Sequence, residues 1–490
     1  MKNAATSGDA PETLDVIVVG AGLSGVAAGY HLQRECPQKS YTILEARAAI
    51  GGTWDLFRYP GIRSDSDMFT LGYSFRPWKE QEAIADGPAI LSYVRETAEA
   101  FGIDQKIRFH HKVVSAAWSS DARTWTVAVE RTDSGEVLEL RCSFLMMCSG
   151  YYDYDAGYTP DFPGRQDFPG EVVHPQHWPE DLDVRGKRVV VIGSGATAVT
   201  LVPELAAQAE HVVMLQRSPS YVISMPSVDP VSEWLRARLP PDAAYDLVRW
   251  KNVVLSLAMY KFCRAFPDAA RKMLVRQVER HLDGKVDVST HFNPRYNPWE
   301  QRLCLVPDGD LFDVLRDGRA QILTDQIASF TTAGIRLASG KQLDADIIVT
   351  ATGLRLKFLA GLRITVDGRE VRPSDTIPYK GVMLSGVPNL GMAFGYTNAS
   401  WTLKCDLSCA WVSRMLREMD EDGQTVVMPV ADPPVSRIPL VDFSSGYFKR
   451  AEGKLPQQGH RAPWKVYQNY VLDWIMFRIK PIHDEGLEFR

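Results

Sequence analysis

Two glycine-rich runs carry the first chemical signal in this chain. Gly20-Ala21-Gly22-Leu23-Ser24-Gly25 follows the apolar, β-branched stretch 14–19, and Gly193-Ser194-Gly195-Ala196-Thr197-Ala198 follows 188–192. Each reads as strand, tight turn and helix. The first glycine permits the turn and the second lets the backbone approach a pyrophosphate. The third position, Gly25 or Ala198, lets the helix pack closely on its strand, and the free amides at the helix start face the anion. The two sites differ at the next strand. After the first loop, 40–44 delivers Glu45, a carboxylate that can accept hydrogen bonds from both ribose hydroxyls and repels a 2′-phosphate. After the second, 211–215 ends in Gln216-Arg217-Ser218, where a guanidinium fork fits a 2′-phosphate bidentately. Taken alone, Arg217 is an ordinary arginine at a strand end; its distance from Gly193 makes it a cofactor contact. The pattern predicts FAD or NAD at the first site and NADPH at the second.

The elements that must position these loops follow from the rest of the chain. Its 490 residues, 45% hydrophobic and 23% charged, suit two or three globular domains. A net charge of −5 without long like-charge blocks argues against nucleic acid as a partner. The most apolar run, 253–259, is short and bracketed by Lys251 and Lys261, so no integral membrane segment is expected. Residues 1–12 read as a frayed tail and not as a secretory signal. The seven cysteines are scattered without a Cys-x-x-Cys or a zinc-like spacing, which suits a reducing, cytoplasmic setting with neither disulfides nor metal. Cys405 and Cys409 share a helix face and read as buried small side chains.

The expected fold is α/β, with two Rossmann-like dinucleotide-binding domains and a helical insertion. The first domain takes 13–155 and 385–490, the second 156–222 and 305–384, and the insertion 223–304. The strand 346–350 runs into Ala351-Thr352-Gly353, a link between the domains, and Cys148-Ser149-Gly150 looks like a degenerate copy of it. Between the glycine loops stands Phe168-Pro169-Gly170-Glu171-Val172-Val173-His174-Pro175-Gln176-His177-Trp178-Pro179. From its residues alone this is a hinge: a glycine for a turn, an imidazole, and a tryptophan in a linker.

That stretch matches every fixed position of the FxGxxxHxxxW[P/D] fingerprint of Baeyer–Villiger monooxygenases. The runs 51–67, Tyr296-Asn297-Pro298-Trp299 and Tyr396-Thr397-Asn398-Ala399-Ser400-Trp401 resemble the ethionamide-activating subgroup, and the resemblance extends over 14–489. It implies FAD at the first site, held by Gly20, Gly22, Ser24, Gly25, Glu45, Thr53, Trp54, Asp55, Leu56, Arg63, Ser64, Asp65 and Val113. It implies NADPH at the second, held by Gly193, Ser194, Gly195, Ala196, Thr197, Ala198, Arg217 and Ser218. In this family NADPH reduces the flavin, O2 adds at its C4a, and the anionic peroxide attacks a ketone to give an ester or lactone, with sulfide or thioamide oxidation as a side activity. The active-site arginine of the family matches Arg302 and its acidic partner Asp65, whereas His174 orders the linker. Gln301 stands where many relatives have lysine, which softens the expected preference for NADPH. The alternative is a flavin-containing monooxygenase acting on nitrogen or sulfur. The partners expected are O2 and a small hydrophobic ketone or sulfide, acting on a monomer or weak homo-oligomer.

Overall fold

The computed structural model describes residues 11–431, 435–441 and 445–490. Most of the tail expected at 1–12, and Asp442, Phe443 and Ser444 of the C-terminal stretch, lie outside these residues.

β1 (Glu12–Val19), α1 (Leu23–Glu35) and β2 (Tyr41–Leu44) form the first crossover unit. Val16, Ile17, Val18 and Val19 are all buried, because helices cover one face of the sheet and an antiparallel layer the other. β1 pairs in parallel with β2 on one side and with Val137–Met147 on the other. That last strand also closes an antiparallel meander with His111–Ser119 and Thr124–Arg131, so the first sheet is mixed and has eleven strands.

The second sheet repeats the design. β3 (Arg188–Ile192), α2 (Ala196–Ala206) and β4 (His211–Gln216) lead into an all-parallel five-stranded sheet. Its order is Ala320–Thr324, β4, β3, β5 (Ile347–Thr350) and Glu171–Val173. The hinge segment therefore supplies an edge strand of this sheet.

One boundary differs from the sequence reading. Arg363–Val366 pairs in parallel with His111–Ser119, and Arg369–Val371, Pro378–Tyr379 and Met383–Leu384 also join the first sheet. The chain thus returns to the first unit by residue 363 rather than at 385. The first two extend the open edge of the meander and the other two join through Leu390–Met392 on Val137–Met147, and their composition carries no mark of which sheet they complete.

The insertion is helical, with Pro230–Arg236, α3 (Pro241–Ala265) and Pro267–Leu282. Each begins on proline, which is set for the first helical turn and has no amide hydrogen to satisfy. Val222–Met225 pairs in parallel with Cys304–Pro307 and closes the insertion at its base. α4 (Trp401–Glu421) packs on α1. Cys405 and Cys409 are buried there, and all seven cysteines are free thiols. No helix among the described residues is long and apolar enough to cross a membrane.

Candidate active site

Both glycine loops open on one cavity of about 910 Å³ at the carboxyl ends of the two sheets. The loops are built alike. Gly20 N donates to Leu44 O and Gly193 N to Leu215 O, both at 2.8 Å. Gly20 and Gly193 have φ of +103° and +140°, and a Cβ on either would come within 2.7 Å of Cys148 O or 2.2 Å of Ala351 O. The two linking segments named from the sequence therefore brace the two turns equivalently. Neither α1 nor α2 has a side-chain N-cap, so the first-turn amides stay available to an anion. A Cβ on Gly195 would meet nothing within 4 Å, which leaves open space where a pyrophosphate must approach.

Glu45 lines the cavity from the end of β2. Its carboxylate accepts from Ala21 N at 2.8 Å and Arg47 N at 2.9 Å, fixing the loop, while burial pushes its pKa up against those two amides. Thr53 donates to or accepts from Tyr154 at 3.0 Å on the same wall. At the other end Arg217 is exposed on the rim and has no carboxylate partner among the described residues. Ser194 Oγ donates to Ser218 O at 3.2 Å, and the Thr197 hydroxyl bonds Tyr59.

Most of the sequence-derived contacts line this cavity, including Ser24, Trp54, Ser64, Val113 and Ala196, but four do not. Gly25 lies behind the first loop, where a Cβ would sit 1.9 Å from Gly20 O, and Ala198 is fully buried in the corresponding place. Leu56 is half-buried away from the cavity. Asp55 is held behind the wall by Arg47 at 2.5 Å, Arg95 at 3.2 Å and Arg58 at 3.3 Å, so its carboxylate is committed to three guanidinium groups. Arg63 reaches the cavity, yet its guanidinium forks onto Asp310 at 2.5 and 3.3 Å and ties the first unit to the second.

Arg302 and Asp65 meet between the two loops as an ion pair. Each is positioned by its own chain. The turn before Arg302 is pinned by Asn297 N and Nδ2 donating to Glu300 at 3.0 and 2.9 Å, and by Tyr221 OH donating to Tyr296 O at 2.9 Å. Trp299 within it has φ +66°, a conformation that a bulky residue adopts only where its surroundings hold it. Asp65 is framed by Ser64 N donating to Ala85 O at 3.0 Å and Ser64 Oγ to Ser66 O at 2.7 Å. Burial works against the Arg302 charge, but Asp65, Tyr447, Tyr151 and Tyr152 more than offset it and hold the guanidinium pKa well above its ordinary value.

Sequence reasoning did not place those three tyrosines. Tyr151 OH donates to Tyr152 OH at 2.9 Å, Tyr151 stacks on Trp401 at 4.7 Å, and Tyr447 hydrogen-bonds Arg302. Tyr151 and Tyr152 directly follow Cys148-Ser149-Gly150, a position that could have marked them. Tyr447 comes from far along the chain and left no signal. His174 stands apart from the reacting region. Its Nε2 donates to Gly353 O at 3.1 Å and its Nδ1 accepts from Gln176 N at 3.2 Å, so it braces the second linking segment, and burial lowers its pKa.

The FAD-containing monooxygenase EthA of Mycobacterium tuberculosis is 55% identical over 480 residues, 98% of each chain. The chain belongs to the flavin-binding monooxygenase-like family. That family's profile matches residues 14–233. A monooxygenase named MymA from the same organism is 50% identical over 97% of each chain. Among solved structures, an oxidised steroid monooxygenase bound to NADP superposes with a TM-score of 0.76 at 25% identity, covering 97% of this chain and 99% of that one. An open cyclohexanone monooxygenase gives 0.74 at 21% identity over 98% and 100%, a likeness of fold.

Proposed function

We propose that this member of the family is an FAD- and NADPH-dependent Baeyer–Villiger monooxygenase that inserts one atom of O2 beside a ketone carbonyl, giving an ester or lactone. The observation that carries the reading is the Arg302–Asp65 pair, set in one cavity between two loops built for dinucleotides. The cavity residues suit both groups. The first loop, Glu45 and Thr53 would hold FAD, whose ribose would meet the Glu45 carboxylate. The second loop, Thr197 and Arg217 would hold NADPH, whose 2′-phosphate finds a guanidinium. Bound together, the cofactors supply the hydride and the activated oxygen.

The chain's own residues do the rest. Arg302 presents a fixed cation to the negative charge that develops on oxygen as the carbonyl is attacked, and its high pKa keeps it from giving up a proton there. Asp65 holds the guanidinium in place, and Tyr447 adds a second anchor. Tyr151, Tyr152 and Trp401 wall that end of the cavity with aromatic surface, which excludes water and strengthens the electrostatics. His174 and Arg63 act at a distance, by fixing Gly353 and by tying the two units together.

The test is product analysis by gas chromatography over linear, cyclic and aryl ketones with NADPH and FAD-loaded enzyme. Ester or lactone formation supports the reading. Oxidation confined to amines and sulfides, with ketones untouched, overturns it.

A further inference from the structure

Fourteen large apolar side chains are exposed among the described residues, and all but Phe101 and Val137 fall in two segments, 225–273 and 472–479. On α3 they include Leu247, Trp250 and Val254, spaced i, i+3 and i+7 on one face. On the C-terminal helix Tyr470–Arg478 and its end they are Leu472, Ile475 and Ile479, spaced the same way. The two faces adjoin. Trp250 contacts Tyr470 at 5.6 Å and Trp474 at 5.8 Å, and Val253 and Val471 share one small core. This apolar surface is concentrated on adjoining helix faces, unlike the singly scattered exposed residues ordinary on a monomer.

Charge identifies what covers it. The insertion, 223–304, carries thirteen Lys and Arg against nine Asp and Glu, and with buried Arg249 and the cavity's Arg302 set aside it is still net positive in a chain of net −5. Exposed Lys261 and Arg264 lie on α3 beyond Val254, and Arg478 and Lys480 flank Ile479. A second copy of this chain would bring the same bases face to face across a two-fold axis, which like-charge repulsion opposes. Tryptophan and aliphatic residues on one face, with Lys and Arg beside them, is the arrangement of a helix that lies in an anionic lipid interface.

We infer that the outer face of α3 and the C-terminal helix docks this protein on the surface of an anionic bilayer, without spanning it. The inner side of α3 reaches the turn that carries Arg302, through Tyr260 against Trp299 at 5.7 Å. The helix that carries the docked face therefore packs against the turn that presents Arg302, and an apolar substrate dissolved in lipid would meet the enzyme on that side. The docking itself does not depend on which oxidation the site performs.

The experiment is sedimentation of the FAD-loaded full chain with vesicles of phosphatidylglycerol and phosphatidylethanolamine, and with phosphatidylcholine vesicles as the neutral comparison. The protein should sediment with the anionic vesicles, be released by high salt, and stay in solution with the neutral ones. The triple variant Leu247→Gln, Val254→Gln, Ile479→Gln and the double variant Lys261→Glu, Lys480→Glu should each lose tenfold or more of the bound fraction. Both should keep their FAD and their turnover of a water-soluble substrate. Wild type that remains in solution with anionic vesicles overturns the inference, as does either variant binding like wild type. A wild-type dimer at micromolar concentration that the triple variant converts to monomer also overturns it, because the face would then be a self-contact.

Discussion

Replacing Arg302 with methionine removes the cation while keeping most of the side chain's volume. No neighbour can take its place. Of the other basic residues around the cavity, Arg63 is committed to Asp310, and Lys357 to Asp153 and Asp155 at 3.2 and 2.7 Å. Arg450 donates to Leu354 O at 3.0 Å over the Tyr158 ring, and Arg217 and Lys112 are exposed on the rim. The variant should therefore lose the whole contribution of one fixed charge, about 100- to 1,000-fold in product formation, or about 2.7–4 kcal/mol. Asp65 is part-exposed, its side chain keeping 29% of its accessible surface, so it stays solvated when its partner goes and the fold should survive. Among the described residues Arg302 pairs with Asp65 and Tyr447 and not with the first glycine loop, so FAD should remain bound. The assay measures three quantities on one sample: flavin absorbance, NADPH-dependent oxygen uptake and ester by gas chromatography. The expected result is full flavin content and continued oxygen uptake appearing as hydrogen peroxide, with ester reduced at least a hundredfold. Ester within about threefold of wild type would remove Arg302 from the reaction.

Arg217→Ala should raise KM for NADPH far more than for NADH; an equal rise would show that Arg217 does not read the 2′-phosphate. Gly195→Ala places a methyl where the backbone meets nothing within 4 Å, so thermal stability should stay within about 1 kcal/mol while KM for NADPH rises; an unchanged KM would place the pyrophosphate elsewhere. Lys404 and Asp473 form an ion pair at 2.9 Å with side chains 1% and 0% exposed. Lys404→Met should cost about 3–5 kcal/mol in denaturant unfolding, and a loss under 1 kcal/mol would show that Asp473 simply takes up a proton. Burial lowers the His174 pKa, so the unfolded chain binds its proton more readily. The stability held by neutral His174 is present above the unfolded pKa of about 6.5 and is lost as pH falls through it. His174→Gln should flatten the decline in Tm between about pH 7 and 5; an identical decline would show that another group governs it.

The sequence revealed the cofactor loops more fully than the chemistry between them. Gly20 and Gly193 are legible because a turn with positive φ braced on a carbonyl admits little else, and Glu45 and Arg217 because opposite charges at equivalent positions mean opposite phosphate preferences. Asp55 reads as a cofactor contact from its place beside Thr53 and Trp54, yet Arg47, Arg58 and the more distant Arg95 hold it behind the wall. Arg63 shows the same limit, since Asp310 is remote in sequence. The tyrosines around Arg302 escaped notice because no spacing links Tyr151 and Tyr152 to Tyr447. The strands 363–371 read with the second domain for a related reason: edge pairing is decided by which neighbour lies open, a property of the assembled fold.

The central claim is that activated oxygen is delivered beside a carbonyl next to a fixed guanidinium. Its most direct test is mass spectrometry of the product made from a simple ketone, NADPH and isotopically labelled dioxygen by the FAD-loaded enzyme. The account predicts an ester or lactone carrying a single labelled oxygen atom. Unchanged ketone, with the label found only in hydrogen peroxide or water, would contradict it.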